Sequence, residues 1–189
     1  MSNVAAQRPD GWVPELLKFW FDELTPKDWF AKSDATDELI RHRFLALFEK
    51  VSATANGALL DTPQSALAAV IVLDQFPRNM FRDTPQAFAT DPKALQLAKV
   101  AVSAGLDAGV VRERRVFLYL PYEHSENLSD QHRSVALISA LADASYTRYA
   151  EAHRDVIEQF GRFPHRNAIL ARASTPEELT YLAQPGSGF

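Results

Sequence analysis

Three short stretches carry more polar chemistry than helix surfaces need. In Pro121-Tyr122-Glu123-His124-Ser125-Glu126-Asn127, an imidazole, two carboxylates and a hydroxyl fall within four consecutive residues, directly after a proline that disturbs its helix. Proton transfer is feasible there, with His124 as base and Glu126 as the carboxylate that orients it, so these two are the catalytic candidates. Asp130 and His132 nearby would complete a hard or borderline metal site, but the spacing matches no tight ligand motif and no metal is assigned. The bland alternative is a polar loop, with Ser125 in it, capped into the next helix by Ser129.

The second stretch, Asp74 to Arg82, ends an otherwise apolar helix. Asp74 therefore lies near the core and needs a donor, which Arg78 or Arg82 can supply. Arg78 is also a fork suited to carboxylate or phosphate, whereas the structural alternative is a helix-end ion pair with Asn79 bonding the turn backbone. The third stretch, Arg162-Phe163-Pro164-His165-Arg166-Asn167, gathers three cationic or potentially cationic side chains at a turn, with Arg172 within reach. An anion could sit there, or Arg162 and His165 could simply satisfy the last carbonyls of the preceding helix. The order Asp74-Gln75-Phe76-Pro77-Arg78-Asn79 is echoed by Glu158-Gln159-Phe160, then Pro164, Arg166 and Asn167. Unless the echo is chance, two similar helix ends face one shared space.

Helices must position these groups. Thr25-Pro26, Thr62-Pro63, Thr84-Pro85, Asp91-Pro92 and Thr175-Pro176 each supply a capping oxygen followed by a residue whose missing N–H costs nothing in the first turn. Thr175 and Glu178 also have capping-box spacing. Helical stripes run through Ile40, Phe44, Leu47, Phe48 and Val51, and through Leu95, Ala98, Ala101 and Val102 up to Gly105. Others run through Val135, Ile138, Leu141 and Ala142, and through Tyr149, Ala152, Val156 and Phe160 up to Gly161. Residues 63–76 are apolar on every side and predict a central helix surrounded by others. Phe19-Trp20-Phe21 with Trp29-Phe30 reads as core packing, and Arg112, Arg114 and Arg115 as an exposed face. The expectation is an all-α domain of about eight helices over residues 1–189, built as stacked hairpins or an irregular helical globule, with 1–13 a flexible arm.

Composition narrows the chemistry. The chain has 189 residues, 47% of them apolar, a net charge of −4 and no cysteine. Disulfides, thiolate metal sites and cysteine nucleophiles are excluded, and no basic surface calls for nucleic acid. The longest apolar run, Ala66 to Leu73, is eight residues against the roughly 20 of a membrane span, and the first ten residues lack an apolar signal segment. A cytoplasmic location is the default expectation. Gly-rich phosphate loops, His-Glu-x-x-His and Gly-x-Ser-x-Gly are missing, which excludes nucleotide binding by a P-loop or Rossmann turn and leaves the cofactor unknown.

Taken together, the Leu73–Asn79 run, Tyr119-Leu120-Pro121 with His124-Ser125-Glu126, Asp130-Gln131, and the Phe160–Asn167 run resemble the bacterial domain-of-unknown-function family numbered nine-two-four. The likeness extends from about Pro14 to Phe189. It implies a tetratricopeptide-like α-α superhelix of antiparallel helix pairs, and it assigns no activity. It marks Asp74, Arg78, Asn79, His124, Ser125, Glu126, His165, Arg166, Asn167 and Arg172 as motif positions. Asp83 and Ala171 stand where that pattern expects glycine, which leaves the backbone there less free to take positive φ. The leading expectation is that the three clusters converge on a pocket for a small anionic or polar molecule. In it, Asp74, Arg78, Asn79, Ser125, His165, Arg166, Asn167 and Arg172 bind the ligand, while His124 and Glu126 supply acid-base chemistry. The rival is a protein- or peptide-binding scaffold in which the motifs only lock helix ends.

Overall fold

The computed structural model describes residues 11–188, and all regular elements among them are helical. Helix α1, Trp12–Lys18, continues through a π-helical turn at Phe19–Glu23. Trp12 and Val13 pack against the core as part of α1, so the helix begins inside the segment expected to be an arm; residues 1–10 of that arm lie outside the described residues. Next come α2, Pro26–Phe30, and α3, Asp34–Ala53. Helix α4 starts at Pro63–Val70, passes through a second π-helical turn at Ile71–Gln75 and ends as Phe76–Met80. Helices α5, Asp91–Ser103, α6, Arg115–Glu123, and α7, Leu128–Ser139, are followed by α8, Ala144–Phe160, and α9, Pro176–Leu182.

Most of the proline caps work as the spacing predicts. Thr62 with Ser65, and Thr175 with Glu178, form reciprocal capping boxes, and the Asp28 carboxylate accepts from the Thr25 N–H at 2.8 Å. Thr84-Pro85 opens only a 3₁₀ turn, Pro85–Phe88, and the capping residue before α5 is Thr90 rather than Asp91. Asn127, not Ser129, caps α7: its Oδ1 accepts the Ser129 N–H at 2.9 Å. Gly105 and Gly161 take left-handed φ of 70° and 67° after α5 and α8, as C-terminal caps do. Asp83 and Ala171 also adopt left-handed φ, 61° and 53°, so a side chain occupies two places where glycine would be unstrained.

Ala66 through Phe76 of α4 are buried, with α1, α3, α5 and α6 packed around them. Phe19, Trp20, Phe21 and Trp29 of the aromatic group join this core, whereas Phe30 is 56% exposed: Phe19 lies 4.8 Å from Phe44, and Trp20 and Trp29 lie 5.6 and 5.0 Å from Phe117. Consecutive helices pack on one another, α6 on α7 and α7 on α8. The stripe of α8 is rotated from the expected one. Ala150, His153, Val156 and Ile157 face inward while Tyr149 is 58% exposed. Of the arginines read as an exposed face, Arg112 is exposed and Arg114 and Arg115 are partly so, and each also makes a contact: Arg112 donates to the Leu141 carbonyl, Arg115 to that of Val110, and Arg114 lies over the Phe21 ring.

Candidate functional site

Pro77 sets the geometry. It has no N–H to offer the Leu73 carbonyl one turn earlier, and the helix widens locally: the Phe76 N–H reaches back five residues to the Ile71 carbonyl. The orphaned Leu73 carbonyl accepts the Thr90 hydroxyl at 2.6 Å. The π-turn directs Asp74 into the protein, fully buried, and the Thr90 anchor fixes the start of α5, where Asp91 follows.

Asp74 is the hub. Its Oδ1 lies 2.8 Å from His124 Nδ1, its Oδ2 accepts from Gln75 Nε2 at 2.5 Å, and Arg78 Nη1 is 3.5 Å away while also donating to the Asp74 carbonyl. Burial works to raise the Asp74 carboxyl, but Arg78 and His124 outweigh it and hold it at about 2. Arg78 forks onto Asp91, Nη1 to Oδ1 at 2.9 Å and Nη2 to Oδ2 at 3.0 Å. Arg166 Nη1 approaches the same Asp91 carboxylate at 3.5 Å. The Arg166 guanidinium is sandwiched between Phe88 and Phe163, 4.7 and 4.5 Å from the ring centroids, and Arg78 also lies over Phe88. Arg166 is 7% exposed, and its buried Nε has no hydrogen-bond partner among the described residues. Burial and the neighbouring Arg78 charge lower its pKa to about 10. The two helix ends that echo one another in sequence thus do face one space.

His124, at the end of α6, keeps Nδ1 on Asp74 while its Nε2 makes no hydrogen bond among the described residues, and 14% of its side chain is exposed. Burial and the Arg78 charge lower its pKa against the pull of Asp74, which keeps the imidazole neutral at pH 7. Behind it, Glu123 and His153 of α8 approach to 3.5 Å, both buried. Burial, reinforced by Asp74, pushes Glu123 up to about 8, so it is a neutral acid at pH 7. Burial and His124 push His153 down to about 3, and its Nδ1 lies 2.8 Å from the Tyr149 carbonyl. His165 lies 5.5 Å from Phe163 in a tilted ring pair, with a pKa lowered to about 4 by burial and by Arg166.

The expected pairing of His124 with Glu126 is replaced by His124 with Asp74. Glu126 turns the other way, taking Arg172 in a bidentate pair at 2.7 and 2.9 Å and accepting the Phe163 N–H at 2.8 Å. The left-handed Ala171 reverses the chain ahead of Arg172, whose Nε donates to Asn167 Oδ1 at 3.0 Å. Asn167 in turn donates to Glu178 of α9 at 3.1 Å. Glu126, Asn167 and Arg172 therefore brace the segment that carries Arg166. Two candidates lie elsewhere. Asn79 donates to Asp37 Oδ1 of α3 at 2.8 Å, beside Arg82, which pairs with Asp37 and not with Asp74. Ser125 donates to Asp130 at 2.9 Å, an acid also held by Lys99 at 2.5 Å.

Of the sequence-derived set, Asp74, Arg78, His124, His165 and Arg166 converge. Asp91, Glu123, His153, Phe88 and Phe163 join them without having been singled out as site residues. Asp91 carried a signal only as a cap, and His153 was hidden by the rotated stripe of α8. A shallow open cleft of about 490 Å³, lined by residues such as Phe160, Arg162 and Glu177, includes none of this cluster. The cluster meets solvent at a rim where Arg78, Asp91 and His124 are partly exposed.

The family described as bacterial proteins of unknown function (DUF924) matches residues 16–186. A solved structure of similar shape is that of the protein of unknown function ATU0120 from Agrobacterium tumefaciens. It is 41% identical, aligned over 91% of this chain and 97% of that one, with a TM-score of 0.86. No curated protein matches the chain. The Leu73–Asn79 and Phe160–Asn167 runs whose ends meet at Asp91 lie inside the matched span, and the chain belongs to the bacterial DUF924 family.

Proposed function

We propose that the protein binds a small anionic molecule at the rim formed by Arg78, Asp91 and His124, with Arg166 as its main cationic contact and His124 Nε2 as a proton acceptor. The observation that carries this reading is the state of two nitrogens that make no hydrogen bond among the described residues. His124 has its Nδ1 oriented by a buried carboxylate and its Nε2 unused, which is how a general base is held. Arg166 is buried with its Nε unbonded, and an unsatisfied buried donor costs about 1 to 3 kcal/mol, a cost that a ligand would offset. Helix-locking alone supports neither feature, since a lock gains by using every donor it has.

Titration of the full chain with sodium acetate and with inorganic phosphate, followed through the His124 ring nitrogens by NMR, tests the reading. Saturable shifts are expected, and Arg166→Ala weakens the binding at least tenfold, about 1.4 kcal/mol. Native mass spectra of gently purified protein should show added mass that is lost on denaturation. If neither anion at about 100 mM moves the His124 signals, although even a Kd of about 1 mM would then be evident, the site does not bind small anions.

A further inference from the structure

Charges around His124 cancel before any ligand arrives. From α4, Asp74 and Arg78 face it; from the start of α5, Asp91; from the segment after α8, Arg166: two carboxylates against two guanidiniums. On its own segment Glu126 is matched by Arg172, and Glu123 is protonated at neutral pH. The remaining neighbours, His153 of α8 and His165, are neutral imidazoles. A negative charge added to this balanced and largely buried set would stand uncompensated, which proteins avoid by neutralising it. Asp91 already fills the fork of Arg78, so Arg78 has no charge to spare.

We infer that the site takes a monoanion together with one proton, the proton residing on His124 Nε2, so that its ligands are conjugate bases of weak acids such as small carboxylates. The inference rests on the anion-binding reading above. The proton comes from solvent and no bond to the ligand is made or broken. His124 is the place for it because Nε2 is unoccupied and Nδ1 already sits on Asp74, whose charge favours the imidazolium. Glu123 cannot serve, since it holds its proton already. A dianion such as sulfate brings a second negative charge that one proton leaves unmatched.

Measuring acetate affinity of the whole chain between pH 6.5 and 8.5, with ¹⁵N spectra of His124, tests this. Acetate Kd should rise about tenfold per pH unit above neutrality, and His124 should pass from a neutral to an imidazolium signature on saturation. Sulfate at pH 7.5 should bind at least tenfold more weakly than acetate. Glu123→Gln, which removes the other group titrating in that window, should keep the slope, whereas His124→Gln should abolish it. Acetate binding of constant Kd with His124 neutral throughout, or sulfate binding equal to acetate, overturns the proton-coupled inference while leaving anion binding intact. Absence of saturable acetate binding overturns both.

Discussion

Replacing Asp74 by asparagine preserves shape and removes the charge at the hub. The carboxyl is held at about 2 against an ordinary 3.8, a difference worth about 2 kcal/mol of stability at neutral pH. Because the folded value is the lower one, this contribution is complete above pH 3.8 and is lost as pH falls toward 2. Asp74→Asn should therefore lower unfolding free energy by about 2 kcal/mol at pH 7. The gap to wild type should shrink by about 1 kcal/mol by pH 3, where the wild-type advantage is half titrated. Arg78 keeps its bidentate hold on Asp91, so the variant should still fold. Urea unfolding followed by circular dichroism at pH 7, 5 and 3 reads the gap directly. In the same variant the His124 pKa should fall, since the carboxylate that raises it is gone. A gap unchanged between pH 7 and 3, or an unshifted His124 titration, would refute the account of Asp74 as an ionised partner of the imidazole.

Three further outcomes follow from the same geometry. Thr90→Val leaves the Leu73 carbonyl without the donor that Pro77 cannot supply, and should cost about 1 to 3 kcal/mol in urea unfolding, with Thr90→Ser largely restoring it. Glu123 gains its proton on folding, so the stability difference between wild type and Glu123→Gln should shift against wild type by about 1 kcal/mol per pH unit between pH 6.5 and 8, as measured by denaturation of both at fixed pH values, a comparison in which the buried neutral histidines cancel. Ala171→Gly relieves a left-handed alanine and should raise the melting free energy by about 0.5 to 1 kcal/mol; an unchanged or lower value would mean that the turn before Arg172 is not strained.

Local rules read from the chain hold where the partner is local. The Thr62 and Thr175 boxes, the glycine caps at 105 and 161, and the all-round burial of α4 each depend on residues within a few positions of one another. Thr84-Pro85 closes only one 3₁₀ turn because the chain must turn again at once to bring Thr90 onto Leu73. Partner choice across the fold is where composition and spacing stop informing. Asp37 and Asp74 both had an arginine in reach along the chain, and only the packing of α3 against the end of α4 decides that Arg82 and Asn79 take Asp37 while Arg78 keeps Asp74. Glu126 stands two residues from His124, yet the turn after α6 points them apart, and the carboxylate that does reach the imidazole is fifty residues away in sequence. His153 escaped notice because a polar residue was not counted into the apolar stripe of α8, which it completes with Ala150, Val156 and Ile157.

The placement of these groups bears on why they are there. Well-packed apolar residues in place of a buried ion pair are often neutral or stabilising, so stability alone is a weak reason to end an apolar helix such as α4 in a buried carboxylate held by one arginine, an amide and an imidazole. The Glu126–Arg172–Asn167–Glu178 chain is different: each carboxylate there takes two or more donors, and it ties α9 and the segment after α8 to the end of α6, as a structural lock should. That lock holds Arg166 against Phe88 and Phe163 and leaves its Nε unsatisfied, while the Thr90 anchor and the π-turn hold Asp74 under His124 and leave Nε2 unused. Two supports that each end in a nitrogen with no hydrogen bond among the described residues are wasteful as packing. They are economical as a site, because the ordering that a ligand would otherwise have to impose is already built into the helices.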